Sequence, residues 1–389
     1  MRILHAISGI NRENGGPPIV LAALAAAQVR AGLDVSIVAT WTTNPCPDIV
    51  AELQGRGIHV THIGPAKNPM SRHPETAGAV GRLVSQADVV HVHAVWEQIQ
   101  HLACRAAWRR GAPLVVTPHG MLDPWNMSNG KWRKRFYMML RMRRNFDRAT
   151  ALHFATTIER DAVARLKLRP PTIIEPFGLN IQEFAELPAP GTFRAMHPQL
   201  AGRRLIVFLG RLDYGKGLEL LIPAFAKLTA HDASLVIVGP DSHSGYRKTV
   251  EAMIDQHKVR DRTLLTGMLT GRDKLAALVD AYVLAQPSFH ENFGMVVVEA
   301  LACGCPVIVS DQVYLHPQVT AGLVGSVVGL RVDSVAGELQ RWMDRPSDRA
   351  IFANNARPFA VANFDWDLIG RNWVGHYGEL PKVRTPSAR

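Results

Sequence analysis

Cysteines and long apolar runs are scarce in this sequence. Four cysteines in 389 residues are too few for a disulfide framework, so we expect buried, reduced thiols. No stretch approaches the roughly 18 apolar residues that span a bilayer. No basic-then-apolar leader precedes the first predicted strand, Arg2–Ser8, so we expect no cleaved targeting signal. These absences argue against a secreted or membrane-spanning protein and predict a cytoplasmic one.

The remaining composition is that of a globular enzyme. Hydrophobic residues make up 47% of the chain and charged residues 20%, which argues against intrinsic disorder. The length is sufficient for two domains, each with its own core. Lys and Arg exceed Asp and Glu by 44 to 33, which gives a net charge of +11.

Much of the positive charge lies in one segment, Lys131–Arg144, which contains no acidic residue. Its apolar and aromatic positions have helical spacing, which predicts a basic amphipathic helix with Trp132, Phe136, Met139, Leu140 and Arg143 along it. Such a helix can lie on an anionic membrane surface. It can also cover a core with a solvated cationic face, or contact nucleic-acid backbones. No nucleic-acid-binding motif supports the last interpretation, so we predict no nucleic-acid partner and a peripheral membrane location.

Strand-like and helix-like segments alternate through both halves, which predicts parallel sheets built from βαβ units. We predict a first domain over residues 1–180, a linker rich in Pro and Gly over 181–203, and a second domain over 204–365. Residues 366–389 are predicted to form a terminal amphipathic helix and a tail. The predicted strands are Arg2–Ser8, Asp34–Thr40, His59–Ile63, Val89–His93, Leu114–Pro118, Ala151–Ala155, Ile173–Glu175, Arg204–Gly210, Ser234–Val238, Thr263–Thr266, Ala281–Ala285 and Val307–Ser310.

Two carboxylates flank a turn in the second half. Glu291 follows a predicted buried strand, and Glu299 lies about two turns into the next predicted helix. The carboxyl ends of parallel strands are where open α/β sheets bind ligands. Backbone N–H groups at the helix start would face a phosphate; they belong to Phe293, Gly294 and Met295. Two carboxylates beside an anion site suit a ligand with hydroxyl groups, such as a ribose and a sugar.

A glycine-rich junction opens the second domain. Arg211 and Lys216 lie between a predicted strand and helix, where a guanidinium fork and a point charge could hold one diphosphate. Two fixed cations and a helix N-terminus can stabilise a leaving diphosphate without magnesium. We therefore predict no metal site and no cofactor.

Several candidates lie in the first half. Gly15 and Gly16 precede a proline pair suited to a first helical turn, and we expect that helix to end near Arg30. His119 follows a strand, where it could contact a sugar hydroxyl or accept a proton. Asp123 and Trp125 are candidate acceptor contacts, although Asp123 could equally cap a turn. The spacing of His91 and His93 is expected to place them on opposite faces of a strand, which argues against a joint metal site.

The segment Glu291-Asn-Phe-Gly-Met-Val-Val-Val-Glu299 resembles the Glu-x7-Glu signature of the family-4 retaining glycosyltransferases. Gly210-Arg-Leu-Asp-Tyr-Gly-Lys-Gly217 resembles the family's Gly-Arg-x-x-x-x-Lys-Gly element. The resemblance implies the GT-B fold, an α/β architecture of two Rossmann-like parallel-sheet domains that face a cleft. It further implies an acceptor-binding first domain, a nucleotide-sugar-binding second domain, and a C-terminal helix that crosses back to the first.

The resemblance also implies roles for individual residues. Glu299 would bind the ribose, and Glu291 would bind the transferred sugar. Arg211 and Lys216 would hold the diphosphate. The remaining donor-binding positions would be Gly15, Gly16, Asn292, Phe293, Gly294 and Met295, with His119 beside the donor sugar. The family often has Gly-Gly-x-x-Glu after the strand ending at Ser310, whereas this chain has Asp311–Gln318, so no role transfers to that loop.

The predicted function is a metal-independent, retaining transfer of a hexose from a UDP- or GDP-linked sugar to a saccharide acceptor. The basic segment favours a lipid-linked acceptor, and the His119-Gly120 phrase resembles a branch of the family found in surface-polysaccharide synthesis. Two alternatives stay open. One is a nucleotide-sugar epimerase on the same fold, which would need no acceptor. The other is a non-catalytic nucleotide-sugar-binding protein, which would never release nucleoside diphosphate.

Overall fold

The computed structural model of the protein describes residues 1–11, 15–67, 70–128, 137, 141–241 and 245–381. They form two compact units, one comprising residues 1–178 with the chain from Asp365 onward, the other Leu179–Phe364.

The first unit is built around a parallel sheet with seven strands among the described residues, in the order β3-β2-β1-β4-β5-β6-β7. Its strands are β1 Arg2–Ile7, β2 Asp34–Thr40, β3 His59–Ile63, β4 Val89–His93, β5 Leu114–Thr117, β6 Ala151–Phe154 and β7 Thr172–Ile174. Its described helices are α1 Gly16–Arg30, α2 Pro47–Gly55, α3 Thr76–Gln86, α4 Gln98–Arg110, α5 Pro124–Ser128, α6 Arg143–Asp147 and α7 Thr157–Ala162, followed by a 3-10 turn at Ala164–Leu166.

The second unit repeats this topology with six strands in its described part, in the order β10-β9-β8-β11-β12-β13. The strands are β8 Arg204–Leu209, β9 Ala233–Val238, β10 Thr263–Gly267, β11 Ala281–Gln286, β12 Val307–Ser310 and β13 Gly325–Val328. The helices are α8 Thr192–Met196, α9 Leu218–Ala226, α10 Tyr246–Gln256, α11 Gly271–Val279, α12 Met295–Ala302, α13 His316–Ala321, α14 Val332–Asp344 and α15 Pro346–Phe364, with 3-10 turns at Ile181–Phe184, Pro198–Leu200 and Arg260–Arg262.

Both sheets are covered by helices, which explains their near-continuous apolar strands. Every residue of β4 and of β9 is buried. In each sheet the strand order reverses between neighbouring strands, β1 and β4 in the first unit and β8 and β11 in the second. Ligands of open α/β sheets bind outside the carboxyl ends of the strands at such a reversal. The predicted fold class is confirmed.

The last helix, α16 at Trp366–Gly378, belongs to the first unit. The side chain of Asp365 accepts a hydrogen bond from the Asp367 amide and begins this helix. Helix α16 packs closely on α1, since a Cβ at Gly370 would lie 2.8 Å from the carbonyl oxygen of Ala27. The expected return of the C-terminal helix to the N-terminal domain is therefore confirmed.

Two details differ from the expectations, and one agrees with them. The strand β13 was not predicted, because Gly325-Ser-Val-Val328 is short and begins with a residue disfavoured in strands. Residues 181–203, expected as a linker, contain α8 and two 3-10 turns and lie in the second unit. Among the described residues the four cysteines are buried and form no disulfide with one another, which confirms the predicted reduced thiols. Burial raises the pKa of the Cys104 and Cys305 thiols to about 12.

Candidate functional site

The loop between β8 and α9 lies against the loop that follows β11. The amide of Phe289 donates to the carbonyl of Gly215 at 2.8 Å. Gly217 has a φ of +84°, and a Cβ there would lie 2.0 Å from the carbonyl oxygen of Pro287. A glycine is therefore required for the two loops to approach each other this closely.

This contact brings together two of the predicted site residues. The Lys216 ammonium lies 2.5 Å from a carboxylate oxygen of Glu291, and each side chain is less than a quarter exposed. The backbone of Glu291 is fixed on both sides, because its amide donates to Gln312 and its carbonyl accepts from Tyr314. The acidic and basic groups are thus held in place by backbone contacts.

Helix α12 begins beside this pair. Its N-cap, Gly294, has a φ of +86° and no side chain to satisfy the first amides of the helix. Phe293 is buried and packs edge-to-face on Phe364 at 6.0 Å, which anchors the turn. The Oδ1 atom of Asn292 is buried without a hydrogen-bond partner within the part of the chain that the structure describes. The free amides at the start of α12, at Met295, suit an anion, whereas the Asn292 oxygen can accept a hydrogen bond from a hydroxyl group.

Glu299 lies further along α12 and pairs with a residue that the sequence analysis did not identify. Its carboxylate is 3.0 Å from the Lys274 ammonium, and both side chains are largely buried. Lys274 is in the first half of α11, which follows β10 at the same edge of the sheet. The position of Lys274 in the helix after β10 was the feature of the sequence that could have identified it. Arg211, at the start of the β8–α9 loop, is exposed.

In the first unit, Gly15 and Gly16 mark the beginning of α1. Gly15 has a φ of +102° and is the N-cap, followed by two prolines in the first turn. The predicted end of this helix at Arg30 is confirmed. Residues 12–14 of the preceding loop lie outside the described residues.

His119 follows β5 in a left-handed conformation, with a φ of +54°, which histidine tolerates better than most residues. Its Nε2 is 3.0 Å from Nδ1 of His93, and its ring stacks on Phe177. Burial lowers the pKa of His119 to about 3, so the ring is neutral at pH 7.

Glu159 holds the corner that contains His119, and the sequence analysis did not identify it. This buried carboxylate accepts hydrogen bonds from the amide of Gly120 at 2.7 Å and from the amide of Ala155 at 2.8 Å. Charge-assisted bonds of this kind are stronger than neutral ones. The capping box Thr156-x-x-Glu159 was the signal in the sequence.

Asp123 and Trp125 form a turn directly after this corner. Asp123 is 2% exposed, and its Oδ1 accepts a hydrogen bond from the Trp125 amide at 2.7 Å. This is the turn-capping contact expected as an alternative to acceptor binding. The residue Trp125 is 43% exposed.

The expectation for His91 and His93 was wrong. Their rings stack at a centroid distance of 4.3 Å, because residues two apart on a strand point to the same face. Together with His5 they form a buried group whose potential ligand atoms lie within 4.8 Å of one another. Three imidazoles this close together could bind a metal ion. All six of their ring nitrogens, however, already take part in hydrogen bonds within the first unit.

Two family models match the chain. One, described as glycosyl transferases group 1, matches residues 192–359. The other, described as a glycosyl transferase 4-like domain, matches residues 15–176. Between them they cover most of both units. The chain belongs to the group 1 glycosyltransferases. This confirms the family that Glu291, Glu299, Arg211 and Lys216 predict, and it establishes that the protein is a glycosyltransferase.

Curated relatives of this glycosyltransferase are distant. An uncharacterized glycosyltransferase, MJ1607 of Methanocaldococcus jannaschii, is 34% identical over 45% of this chain and 44% of its own. A D-inositol 3-phosphate glycosyltransferase of Salinispora tropica is 28% identical over 94% of this chain and 81% of its own.

Among solved structures, Anabaena Alr3699/HepE in complex with UDP-glucose has the same fold as this glycosyltransferase. The TM-score is 0.78 at 20% sequence identity, and the match covers 98% of this chain and all of the other. At this identity the likeness establishes the GT-B fold.

The predicted basic helix lies mostly outside the described residues, which omit 129–136 and 138–140. Arg143 is described, and it donates to Asp147 and to the carbonyls of Leu166 and Lys167. These bonds tie its partly exposed side chain to neighbouring backbone. None of the described helices is long and apolar enough to cross a bilayer.

An arginine-lined cavity of about 520 Å³ in the first unit is lined in part by Arg141 and Arg144, two described residues of this segment. Arg148 stacks over the Trp108 ring at 3.5 Å, and Arg144 lies 4.8 Å from the same ring. The other arginines lining the cavity are Arg105, Arg109 and Arg141. Such a concentration of guanidinium groups attracts anions.

Proposed function

We propose that this glycosyltransferase moves a hexose from a nucleoside-diphosphate sugar to a saccharide acceptor with retention of configuration. The observation that carries the proposal is the arrangement of Lys216, Glu291 and Glu299 around the start of helix α12. Anabaena Alr3699/HepE, which shares the fold, was solved with UDP-glucose. This supports a nucleotide sugar, with UDP as the first candidate.

We assign the donor contacts by the chemistry of each residue. Glu299 binds the ribose hydroxyls, and Glu291 binds hydroxyls of the transferred sugar. Arg211 and Lys216 neutralise the diphosphate as the anomeric bond breaks, so their stabilisation is greatest in the transition state. The corner of Asn292, Phe293, Gly294 and Met295 presents polar atoms to the phosphate or sugar. Gly15 and Gly16 let the backbone of the first unit approach the donor.

We propose that the acceptor hydroxyl attacks the face from which the diphosphate leaves, with the leaving phosphate accepting its proton. In this scheme the sugar forms no covalent bond to the protein, so none of the proposed donor-binding residues acts as a nucleophile. The two cationic side chains and the helix dipole stabilise the leaving group, and the reaction therefore proceeds without a metal ion. His119 orients the sugar.

We propose a lipid-linked saccharide as the acceptor, in surface-polysaccharide synthesis at the inner face of the cytoplasmic membrane. The arginine-lined cavity at Trp108 and the neighbouring Lys131–Arg144 segment support this assignment, because basic surfaces bind anionic lipid headgroups. A phosphorylated polyol is the second candidate, since a relative covering 94% of the chain is a D-inositol 3-phosphate glycosyltransferase.

The test of the reaction is nucleoside-diphosphate release in the presence of EDTA. A panel of UDP-, GDP-, ADP- and TDP-sugars is offered with lipid-linked saccharides and with inositol 3-phosphate. We expect release with one donor, only when an acceptor is present, and a product whose anomeric configuration matches the donor by NMR. Interconversion of the donor sugar without acceptor would indicate an epimerase. Donor binding without any release would indicate a non-catalytic protein.

The membrane assignment is tested by flotation with vesicles of anionic lipid at physiological salt. Replacement of Arg105 and Arg109 by serine is expected to reduce vesicle binding about thirtyfold, because each basic residue near the surface contributes about 1 kcal/mol. Arg247 and Arg260 are two arginines of the second unit in exposed ion pairs. Replacing both by serine lowers the net charge by the same amount, and this control variant should bind the vesicles like wild type. Equal loss in both variants, or no wild-type binding, contradicts the assignment.

A further inference from the structure

A continuous chain of hydrogen-bonded side chains crosses the interior of the first unit. It begins at the backbone carbonyl of Glu175 and ends at His119, with 2.6–3.0 Å between the bonded atoms of each pair. The members before His119 are all buried. In order they are His153, Thr117, His91, Tyr377, Gln28, His5, His93 and His119.

The hydrogen bonds in the first half of this series have a fixed donor-to-acceptor direction, because the carbonyl at its start can only accept. His153 must donate from Nε2 to the carbonyl of Glu175, which leaves its Nδ1 as an acceptor. The Thr117 hydroxyl therefore donates its single proton to that Nδ1. Thr117 must then accept from Nε2 of His91, which in turn leaves Nδ1 of His91 as an acceptor for the Tyr377 hydroxyl.

The second half follows in the same way. Since Tyr377 has given its proton to His91, the Gln28 atom that contacts it must be the amide nitrogen. The Gln28 oxygen then accepts from Nε2 of His5. Nδ1 of His5 accepts from Nε2 of His93, and Nδ1 of His93 accepts from Nε2 of His119. At the end of the chain, His119 keeps an unprotonated Nδ1.

These hydrogen-bond directions require that each imidazole ring carries one proton. Burial lowers the pKa of His5 and of His153 to about 4 and that of His119 to about 3, and it holds the pKa of His91 and His93 well below the usual value. All five imidazoles are therefore neutral at pH 7, and each donates once and accepts once.

We infer that the chain fixes His119 in the tautomer that presents Nδ1 as a hydrogen-bond acceptor to a hydroxyl of the donor sugar. Gln28, His5, His93 and Tyr377 then act as positioning residues for this contact. The inference rests on the proposed function, in which His119 orients the sugar. An acceptor nitrogen bonds a sugar hydroxyl and offers nothing to a sugar carboxylate, so the chain also contributes to donor choice.

A metal ion held by His5, His91 and His93 is the competing use of the same residues. All six of their ring nitrogens have hydrogen-bond partners in the chain. A metal would have to displace several of these bonds, whereas the chain satisfies every one of them.

The first test measures tautomers directly in the full-length protein. Two-bond proton–nitrogen NMR correlations report which ring nitrogen of a histidine carries the proton. They are recorded at pH 7 on protein labelled with nitrogen-15 histidine and are assigned with single His→Gln variants. We expect protonated Nε2 and unprotonated Nδ1 in all five rings, unchanged by added Zn²⁺. A His119 protonated at Nδ1, or zinc-induced shifts of His5, His91 and His93, would overturn the inference. This result does not depend on any donor, so it stands apart from the proposed reaction.

The second test compares two substitutions of similar size at His93. His93→Leu removes the acceptor for His119, whereas the amide oxygen of His93→Asn can occupy the position of Nδ1 and accept the same bond. We expect His93→Leu to lower kcat/KM for the nucleotide sugar about tenfold, as for one lost hydrogen bond. We expect the asparagine variant to recover most of this loss, and inhibition by the bare nucleoside diphosphate to stay unchanged in both. Equal losses in the two variants, or an equal loss of nucleotide affinity, contradict a positioning role.

Discussion

The Lys216 ammonium and the Glu291 carboxylate are in contact at 2.5 Å although 75 positions separate them in the chain. The two residues belong to the loops that follow β8 and β11, the neighbouring strands at which the order of the second sheet reverses. Parallel topology thus brings a cation and a carboxylate to the same edge of the sheet. The start of helix α12 adds backbone donors beside them.

Replacing Lys216 by methionine should weaken nucleotide-sugar binding about 10- to 100-fold, because the role proposed for Lys216 is one charge-assisted contact to the diphosphate. Calorimetric titration measures the change. Lys227→Met is the matched control, since Lys227 makes an equally short ion pair with Asp333 but both of its members are more than half exposed. Solvent screens such an exposed pair, and its loss should leave donor affinity unchanged. Equal effects of the two substitutions would contradict the assignment of Lys216.

Gly217→Ala should destabilise the second unit and abolish donor binding. The positive φ of Gly217 and the close approach of Pro287 combine backbone strain with steric overlap, at a cost of about 2–5 kcal/mol. Gly245 also has a positive φ, but a Cβ there would meet no described residue within 4 Å. Gly245→Ala should therefore cost only about 1–2 kcal/mol. Urea denaturation compares the two variants, and similar losses would show that the loop contact at Gly217 is dispensable.

The free energy of unfolding should fall as the pH is lowered from about 6.5 to about 4. Burial lowers the pKa of His5 and His153 from 6.5 to about 4, so in this window the unfolded chain binds protons that the folded chain does not. Each of these two histidines is expected to lower the free energy of unfolding by about 2 kcal/mol at pH 5 relative to pH 7. Urea denaturation at the two pH values measures the loss.

The variant His153→Gln should show a smaller pH dependence than wild type, because one titrating group is gone. His231→Gln removes an exposed histidine and should leave the dependence as it is. Equal stability of the wild type at pH 5 and pH 7 would show that the buried histidines are not held neutral.

Much of the fold could be predicted from the sequence because the strands are short, apolar and regularly separated by helices. The bounds of β2, β3, β4 and β12 agree with the prediction to the residue. Likewise, the contacting loops of Lys216 and Glu291 follow from parallel topology, since both residues come directly after neighbouring strands. Local sequence patterns were sufficient to predict these elements, because residues close together in sequence determine them.

The contacts that could not be predicted join residues distant in sequence. Lys274 reaches Glu299 from another helix, and Tyr377 reaches His91 across 286 positions. No local pattern encodes such partners, because they depend on how helices and strands pack. The error at His91 and His93 has a different cause. Their strand was predicted correctly, but residues two apart share a face of a strand.

The most direct test of the nucleotide-sugar site is calorimetric titration of UDP-, GDP-, ADP- and TDP-sugars, without metal, into wild type, Glu291→Ala and Glu299→Ala. We predict that wild type binds one donor. Glu299→Ala should weaken both that donor and its bare nucleoside diphosphate, because both contain the ribose that we propose Glu299 binds. Glu291→Ala should weaken the donor alone, because its contact is with the sugar. Absence of binding by every donor, or variants that bind like wild type, would contradict the assignment of these two carboxylates.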